Sequence, residues 1–298
     1  MRRARFRAHV EDRAFLLRAS RLIELSTLLG DYPVTAALKS GAIASSDVSL
    51  RFADVKVPNT AFKRVVRTLE FDVAELAIMT FLLARAHGKP LRLLPAVITS
   101  RFQHPLLVYD ASRRSLTPEV LDGKRVGLRS YSVTTATWIR GILATEHGVD
   151  LDRVTWVAFE EPHVAEFVDP RNVQRAPAGR DMVSMLLEGE LDAAIVGELP
   201  RDERIRSLIA DPAAAATAWQ RKHDAIQINH MVVVRRDMAH STSNAVVDLL
   251  QRSREHAGRP ATLPFGLEAN RRNLEAAIEC VNRQRMIPQR FTVDELFE

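Results

Sequence analysis

The sequence predicts an α/β protein of two lobes that close a cleft around a small anion. Three observations carry that expectation. The chain has 298 residues and 46% hydrophobic content, enough for a large core and long enough for that core to split in two. Strand-like and helix-like stretches alternate with short links, the pattern of a mostly parallel sheet. The last part of the chain is helical, which suggests a return to brace the first lobe. The expected division is residues 1–111 and 223–298 for the first lobe and 112–222 for an inserted second lobe.

Taken in order, residues 1–20 read as an extension and 23–29 as a strand. Pro33 opens a helix that stops at Gly41, with Pro at the start and Gly at the end. Residues 48–55 alternate apolar and polar, as a half-buried strand does. Residues 59–69 form an amphipathic helix. Residues 71–87 read as one longer helix, with Asp72 as N-cap and Glu75 three residues on in the manner of a capping box. Strands follow at 91–98 and 106–109, then a short helix at Thr117 and a strand at 126–128. A helix over 133–147 ends at Gly148, and a strand covers 154–159. Residues 160–179 are irregular and carry three prolines. A helix at 181–189, a strand at 193–197, a helical stretch around Trp219 and a strongly apolar strand at 228–234 complete the alternation. The end is helical over 243–257, 266–285 and 293–297.

The formal net charge of +5 favours an anionic partner. The basic residues are scattered, and the densest run, residues 2–7, sits at the terminus. No zinc-finger spacing, aromatic RNA motif or helix-turn-helix precedes the first strand, so nucleic acid is not the expected partner. The one cysteine, Cys280, cannot form an internal disulfide and falls in an apolar helical stripe, which fits a buried small side chain in a reducing compartment. Glu11, Asp12, Arg13 and Arg18 interrupt any signal-peptide core. No stretch reaches the roughly 18 apolar residues of a membrane span. The expected location is the cytoplasm, away from membranes.

Several stretches could carry chemistry. The stretch from Ser130 through Tyr131 to Ala136 joins a strand to a helix, where hydroxyls and free N–H groups make an anion site or serve as ordinary caps. Arg140 lies further along that helix. Ser100, Arg101 and His104 follow an apolar strand, at the end where open sheets place ligands. There Arg101 can grip a carboxylate and His104 can move a proton, although the same residues would also suit a polar loop. Asn229 and His230 open the apolar strand, as core residues or as part of the cleft. His163 stands near Glu160, Glu161 and Glu166, but no HExxH pair is present and metal binding is not favoured. The sequence contains no GxGxxG, GxxxxGK[ST] or GxSxG.

Together these stretches resemble the 4,5-dihydroxyphthalate decarboxylase family from about residue 23 to the end. The first lobe contributes Gly30-Asp31-Tyr32, Glu70 to Leu76, and Ser100-Arg101 with His104. The second contributes Gly123 to Gly127, Tyr131, Thr134 to Ala136, Trp138 to Leu143 and Glu188 to Ala194. The return strand Ile228 to Val234, Pro264 to Arg271 and Thr292 to Phe297 complete the series.

The resemblance implies a fold similar to type II periplasmic binding proteins, with a central ligand cleft and a helical C-terminus. It also implies non-oxidative decarboxylation of a hydroxylated aromatic dicarboxylate, in aromatic catabolism, with no organic cofactor and in a homo-oligomer. In that reading Arg101 clamps a carboxylate, His104 donates the proton and His230 is the alternative acid. Asp72 and Glu75 orient a base or accept phenolic hydroxyls. Thr134, Thr135, Tyr131, Arg140, Asn229 and His163 contact the substrate. The chain departs from the family at Ser100 to Pro105, which is one residue shorter and lacks a second Arg, and at Phe159 to Glu166, where the family often has Gly-Gly and then Pro-Gly-Arg. A non-catalytic anion-binding protein of the same fold is the alternative, and an enzyme acting on a pyridine or pyrimidine precursor is a third reading.

Overall fold

The protein's structure, a computed structural model, describes residues 22–113 and 115–298. The extension expected over residues 1–20 lies outside them. The chain runs β1 (Ile23–Leu28), α1 (Pro33–Lys39), β2 (Val48–Phe52), α2 (Phe62–Thr68), β3 (Val73–Ala77), α3 (Ile78–Ala86), β4 (Leu91–Ser100) and β5 (Leu107–Asp110). It continues through β6 (Arg125–Leu128), α4 (Thr134–Glu146), β7 (Thr155–Ala158), β8 (Val173–Arg175), α5 (Met182–Glu188), β9 (Ala193–Ile195), β10 (Ile205–Ser207) and α6 (Pro212–His223). It ends with β11 (Ile228–Arg235), α7 (His240–His256) and α8 (Leu267–Arg283).

The strands form two sheets, β2-β1-β3-β11-β4 and β10-β5-β9-β6-β7-β8. The chain therefore crosses between sheets twice, after Ser100 and again ahead of Ile228, and β5 pairs into the second sheet. The division expected at residue 112 put that strand in the first lobe. The crossing at 101–106 carries no compositional break, whereas the change near residue 117 is conspicuous but lies inside the second lobe.

Residues 71–87 are not one helix. Val73–Ala77 is a strand between β1 and β11, buried at every position, and α3 follows it directly. A strand covered on both faces shows no alternation, so its apolar run merges with that of the helix behind it. The N-cap of α3 is Ala77, which leaves no capping side chain to mark the boundary. Asp72 caps nothing. Its carboxylate accepts from Ser26 N–H at 2.9 Å and Ser26 Oγ at 2.7 Å.

One face of the first sheet buries Leu25, Val73, Leu94 and Val232 against Leu38, Val246 and Leu249 of α1 and α7. The other face belongs to a larger core that continues into the second lobe. Helix α8 packs on both α3 and α4, so the C-terminal block braces both lobes rather than the first alone. Leu274, Ala277, Ile278 and Val281 form its buried stripe, a spacing that keeps them on one face. Cys280 is buried and unpaired as expected, and α4 approaches so closely that a Cβ on Gly141 would lie 2.7 Å from its Sγ. Among the described residues no helix is long and apolar enough to cross a membrane.

Candidate active site

The carboxyl ends of β3, β4, β6 and β9 point to one cavity of about 580 Å³, closed by the N-terminus of α4 and the start of β11. Strand ends of open α/β sheets are where the backbone leaves room for a ligand. Because β11 runs antiparallel to β3 and β4, its first residues lie at their last ones: His230 pairs with Ala77, and Ile228 with Ser100.

That register brings His230 to Glu75. The imidazole Nδ1 lies 3.0 Å from Glu75 Oε1. Glu75 is fully buried and accepts two further bonds, from the Tyr32 hydroxyl at 2.9 Å and from Gly30 N–H at 2.8 Å. An ionised carboxylate in a core persists only with such partners. A carboxylate accepts at Nδ1, so the ring carries its proton there and Nε2 is the atom left to exchange a proton with a ligand. Burial, then the charge of Glu75, raises the Tyr32 phenol above its ordinary value, and the phenol stays protonated as a donor. Gly30 is required at its position, since a Cβ there would come within 2.6 Å of the Tyr32 ring.

The cavity is cationic on two walls. Arg101 extends from the end of β4, with Nη2 3.5 Å from Thr135 Oγ1. Its backbone is tied on both sides: its N–H donates to Gln227 O at 3.2 Å, and its carbonyl accepts from Gln103 Nε2 at 2.7 Å. Gln103 Nε2 also donates to Asn229 Oδ1 at 2.9 Å. Burial lowers the Arg101 pKa, and Glu198 on the cavity wall opposes that shift. Arg129 follows β6 on the facing lobe and also lines the cavity. Between them the first turn of α4 presents Thr134, Thr135 and Ala136, and helix N-termini attract anions. Thr134 Oγ1 accepts Met79 N–H from α3 at 3.2 Å, which joins the N-termini of the two helices.

The structure thus gathers Glu75, Arg101, Thr134, Thr135, Asn229, His163 and His230 at one place. Tyr131 and Arg140 are elsewhere, inside the second lobe. The Arg140 guanidinium is fully buried, lies 3.5 Å from the centre of the Tyr131 ring, and donates through Nε to Gln284 at 2.9 Å. It joins α4 to the residues after α8. Asp72 stands at the opposite end of β3, roughly 16 Å from the cavity at ~3.3 Å per residue.

His104 is also outside the cavity. It opens the turn His104–Leu106, is 1% exposed, packs against Phe102, and has Glu146 and His147 as electrostatic neighbours. Those two residues lie at the far end of α4, about 20 Å from Thr134 at 1.5 Å per residue. The crossing turns inward at Gln103, which buries the imidazole beneath α6 and α4. Burial pushes its pKa down to about 4. Between the ordinary histidine value and pH 4 the unfolded chain takes up a proton that the folded one refuses, so stability falls as pH drops through that window. His104→Leu is expected to flatten this fall in denaturation curves taken from pH 7 to 4, and to leave activity at pH 7 within about twofold.

The sequence reading passed over Arg129, Tyr32, Phe62 and Thr80. Arg129 directly precedes the Ser130 to Ala136 stretch, and Tyr32 lies within a quoted motif, so both carried a signal. Nothing local marked Phe62 or Thr80. Among the described residues no group of three His, Cys, Asp or Glu side chains is placed to hold a metal ion.

Sheets and cleft together define a two-lobed chain with the periplasmic-binding-protein fold. The alkanesulfonate-binding protein SsuA from Xanthomonas axonopodis pv. citri, bound to MOPS, superposes with a TM-score of 0.54 at 14% identity, covering 92% of this chain and 97% of that one. The periplasmic aliphatic sulphonate binding protein SsuA from Escherichia coli gives 0.57 at 12% identity with the same coverage. In sequence the chain is similar to two 4,5-dihydroxyphthalate decarboxylases. It is 29% identical over 230 residues to that of Comamonas testosteroni, covering 73% of this chain and 69% of that protein. It is 29% identical over 212 residues to that of Pseudomonas putida, covering 67% and 82%. No family model matches the chain.

Proposed function

We propose that the protein is a decarboxylase of a hydroxylated aromatic dicarboxylate of the 4,5-dihydroxyphthalate type. Two relatives of that name support the reaction class. The observation that carries it to this chain's residues is the Glu75–His230 pair opening on a cavity with arginines on two walls. The buried carboxylate fixes the tautomer and orientation that proton transfer through His230 requires.

Arg101, with Thr135 and the α4 N-terminus, holds one carboxylate, and Arg129 faces the other. Guanidinium groups suit this role because they match a carboxylate with two parallel hydrogen bonds. His230, carrying a second proton on Nε2 while Glu75 holds Nδ1–H, delivers that second proton to the ring carbon that bears the leaving carboxylate. The bond from that carbon to the carboxylate breaks, its electron pair returns to the ring, and carbon dioxide departs. Solvent then restores the proton on His230. Glu75 holds the imidazole in one tautomer and orientation throughout.

This reading places the enzyme in cytoplasmic breakdown of aromatic acids, as a homo-oligomer whose lobes close on the substrate. The lone unpaired Cys280 fits a reducing compartment. The test is carbon dioxide release from a panel of hydroxylated benzoates and phthalates. Turnover should be confined to compounds with a hydroxyl para to a carboxylate and should be fastest with a second carboxylate. Tight binding of such compounds without release from any of them would sink the reading.

A further inference from the structure

His163 enters the cavity from the second lobe, yet the first lobe fixes its position. Its Nδ1 lies 2.9 Å from the Thr80 hydroxyl on α3. Thr80 is 1% exposed, and among the described residues that imidazole is the one hydrogen-bond partner of its hydroxyl. A buried hydroxyl with a single neighbour spends its proton on it. Thr80 therefore donates to Nδ1, and the ring proton sits on Nε2, the opposite tautomer to His230. Phe62 packs edge-on against both imidazoles, with centroids 5.8 Å from His163 and 5.1 Å from His230.

The backbone around His163 is held as firmly as the ring. Arg67 of α2 donates from Nε to His163 O at 2.9 Å and from Nη2 to Pro162 O at 2.8 Å, and also meets Glu161 at 3.2 Å. Lys63 pairs with Glu161 at 3.0 Å, and Lys89 with Glu166 at 2.6 Å. Three cations of the first lobe thus dock the 160–166 segment of the second.

Resting on the decarboxylase reading above, we propose that His163 is a catalytic oxyanion donor and Arg67 its positioning residue. The oxygen para to the leaving carboxylate, as phenolate, pushes an electron pair into the ring, the carbon takes its proton from Nε2 of His230, and the oxygen is left as a carbonyl. When the carboxylate leaves, the electron pair of the broken bond restores the ring and returns that oxygen to phenolate, and Nε2–H of His163 receives the charge as it develops. Donors aimed at developing charge in a closed site lower the barrier more than they strengthen ground-state binding. A neutral N–H serves here because it stays a donor without giving up its proton. Burial, and then Arg129, Lys63, Arg67 and His230, push the His163 pKa down to about 3, which keeps the ring neutral at working pH.

His163→Leu is expected to lower kcat for 4,5-dihydroxyphthalate by about 10²-fold with KM within about threefold, and His163→Gln, which keeps an N–H at similar reach, to recover most of the loss. Equal loss in both variants, or none in His163→Leu, overturns the proposal. Arg67→Ala should lower kcat in the same direction, and the double variant with His163→Leu should fall no further than His163→Leu alone. Losses that multiply would remove Arg67 from the role.

A second readout needs no turnover. The single phenol of bound 3-hydroxybenzoate, which lies para to the position the leaving carboxylate vacates, should ionise about one pH unit higher in His163→Leu than in the wild type, followed by its phenolate absorbance. An unchanged value contradicts the donor. A wild type that binds 3-hydroxybenzoate but releases no carbon dioxide from 4,5-dihydroxyphthalate overturns the decarboxylase reading, while the phenolate comparison still decides His163. A protein that does neither overturns both.

Discussion

Replacing His230 by glutamine is expected to lower kcat by about 10³-fold while Kd for a phthalate-type ligand changes by no more than about threefold. The expectation follows from position. His230 is in the cavity, pairs with Glu75 at 3.0 Å through Nδ1, and keeps Nε2 for the ligand. The anion is held by other groups, Arg101, Arg129 and the start of α4, so binding survives the loss of the imidazole. Steady-state kinetics beside calorimetric titration separate the two effects. A variant that loses binding and turnover together would make His230 a ligand clamp rather than a proton donor.

The second large effect belongs to Glu75. Glu75→Gln preserves shape and removes charge, and it is expected to cost about 10²- to 10³-fold in kcat because the imidazole loses the partner that fixes its tautomer. Glu75→Ala acts on folding as well. It strands the Gly30 N–H, the Tyr32 hydroxyl and the His230 ring, all of which the carboxylate now satisfies. Each buried donor left without an acceptor costs roughly 1–3 kcal/mol. Chemical denaturation should therefore show Glu75→Ala clearly less stable than Glu75→Gln, with kcat low in both. Equal stability would mean that water replaces the carboxylate without loss.

The two histidines the sequence reading weighed against each other, His104 and His230, show what a sequence conveys. Each lies beside an apolar strand, and each has a polar neighbour. His104 had the added appeal of Arg101 three residues before it. What separates them is tertiary. Gln103 turns the crossing inward and buries His104 under α6, whereas the antiparallel register of β11 sets His230 opposite Ala77 at the cavity. No local pattern encodes a register between strands some 150 residues apart.

Glu75 carried a stronger signal, which the expected capping box hid. An acid within an apolar run with no helical or strand alternation is a candidate buried charge, and buried charges are held by partners or used in chemistry. The two-lobed architecture was legible because it rests on long alternating stretches. The short strands β8 and β10 were not, since each is largely polar and carries no apolar run like that of β9.

The most direct measurement is a single turnover with protein in excess over 4,5-dihydroxyphthalate, following bound ligand and released carbon dioxide together in the wild type and in His230→Gln. The wild type should release one carbon dioxide for each ligand bound, and His230→Gln should bind the ligand and hold it unreacted. Release at the wild-type rate from His230→Gln, or a wild type that binds without release, would contradict the account.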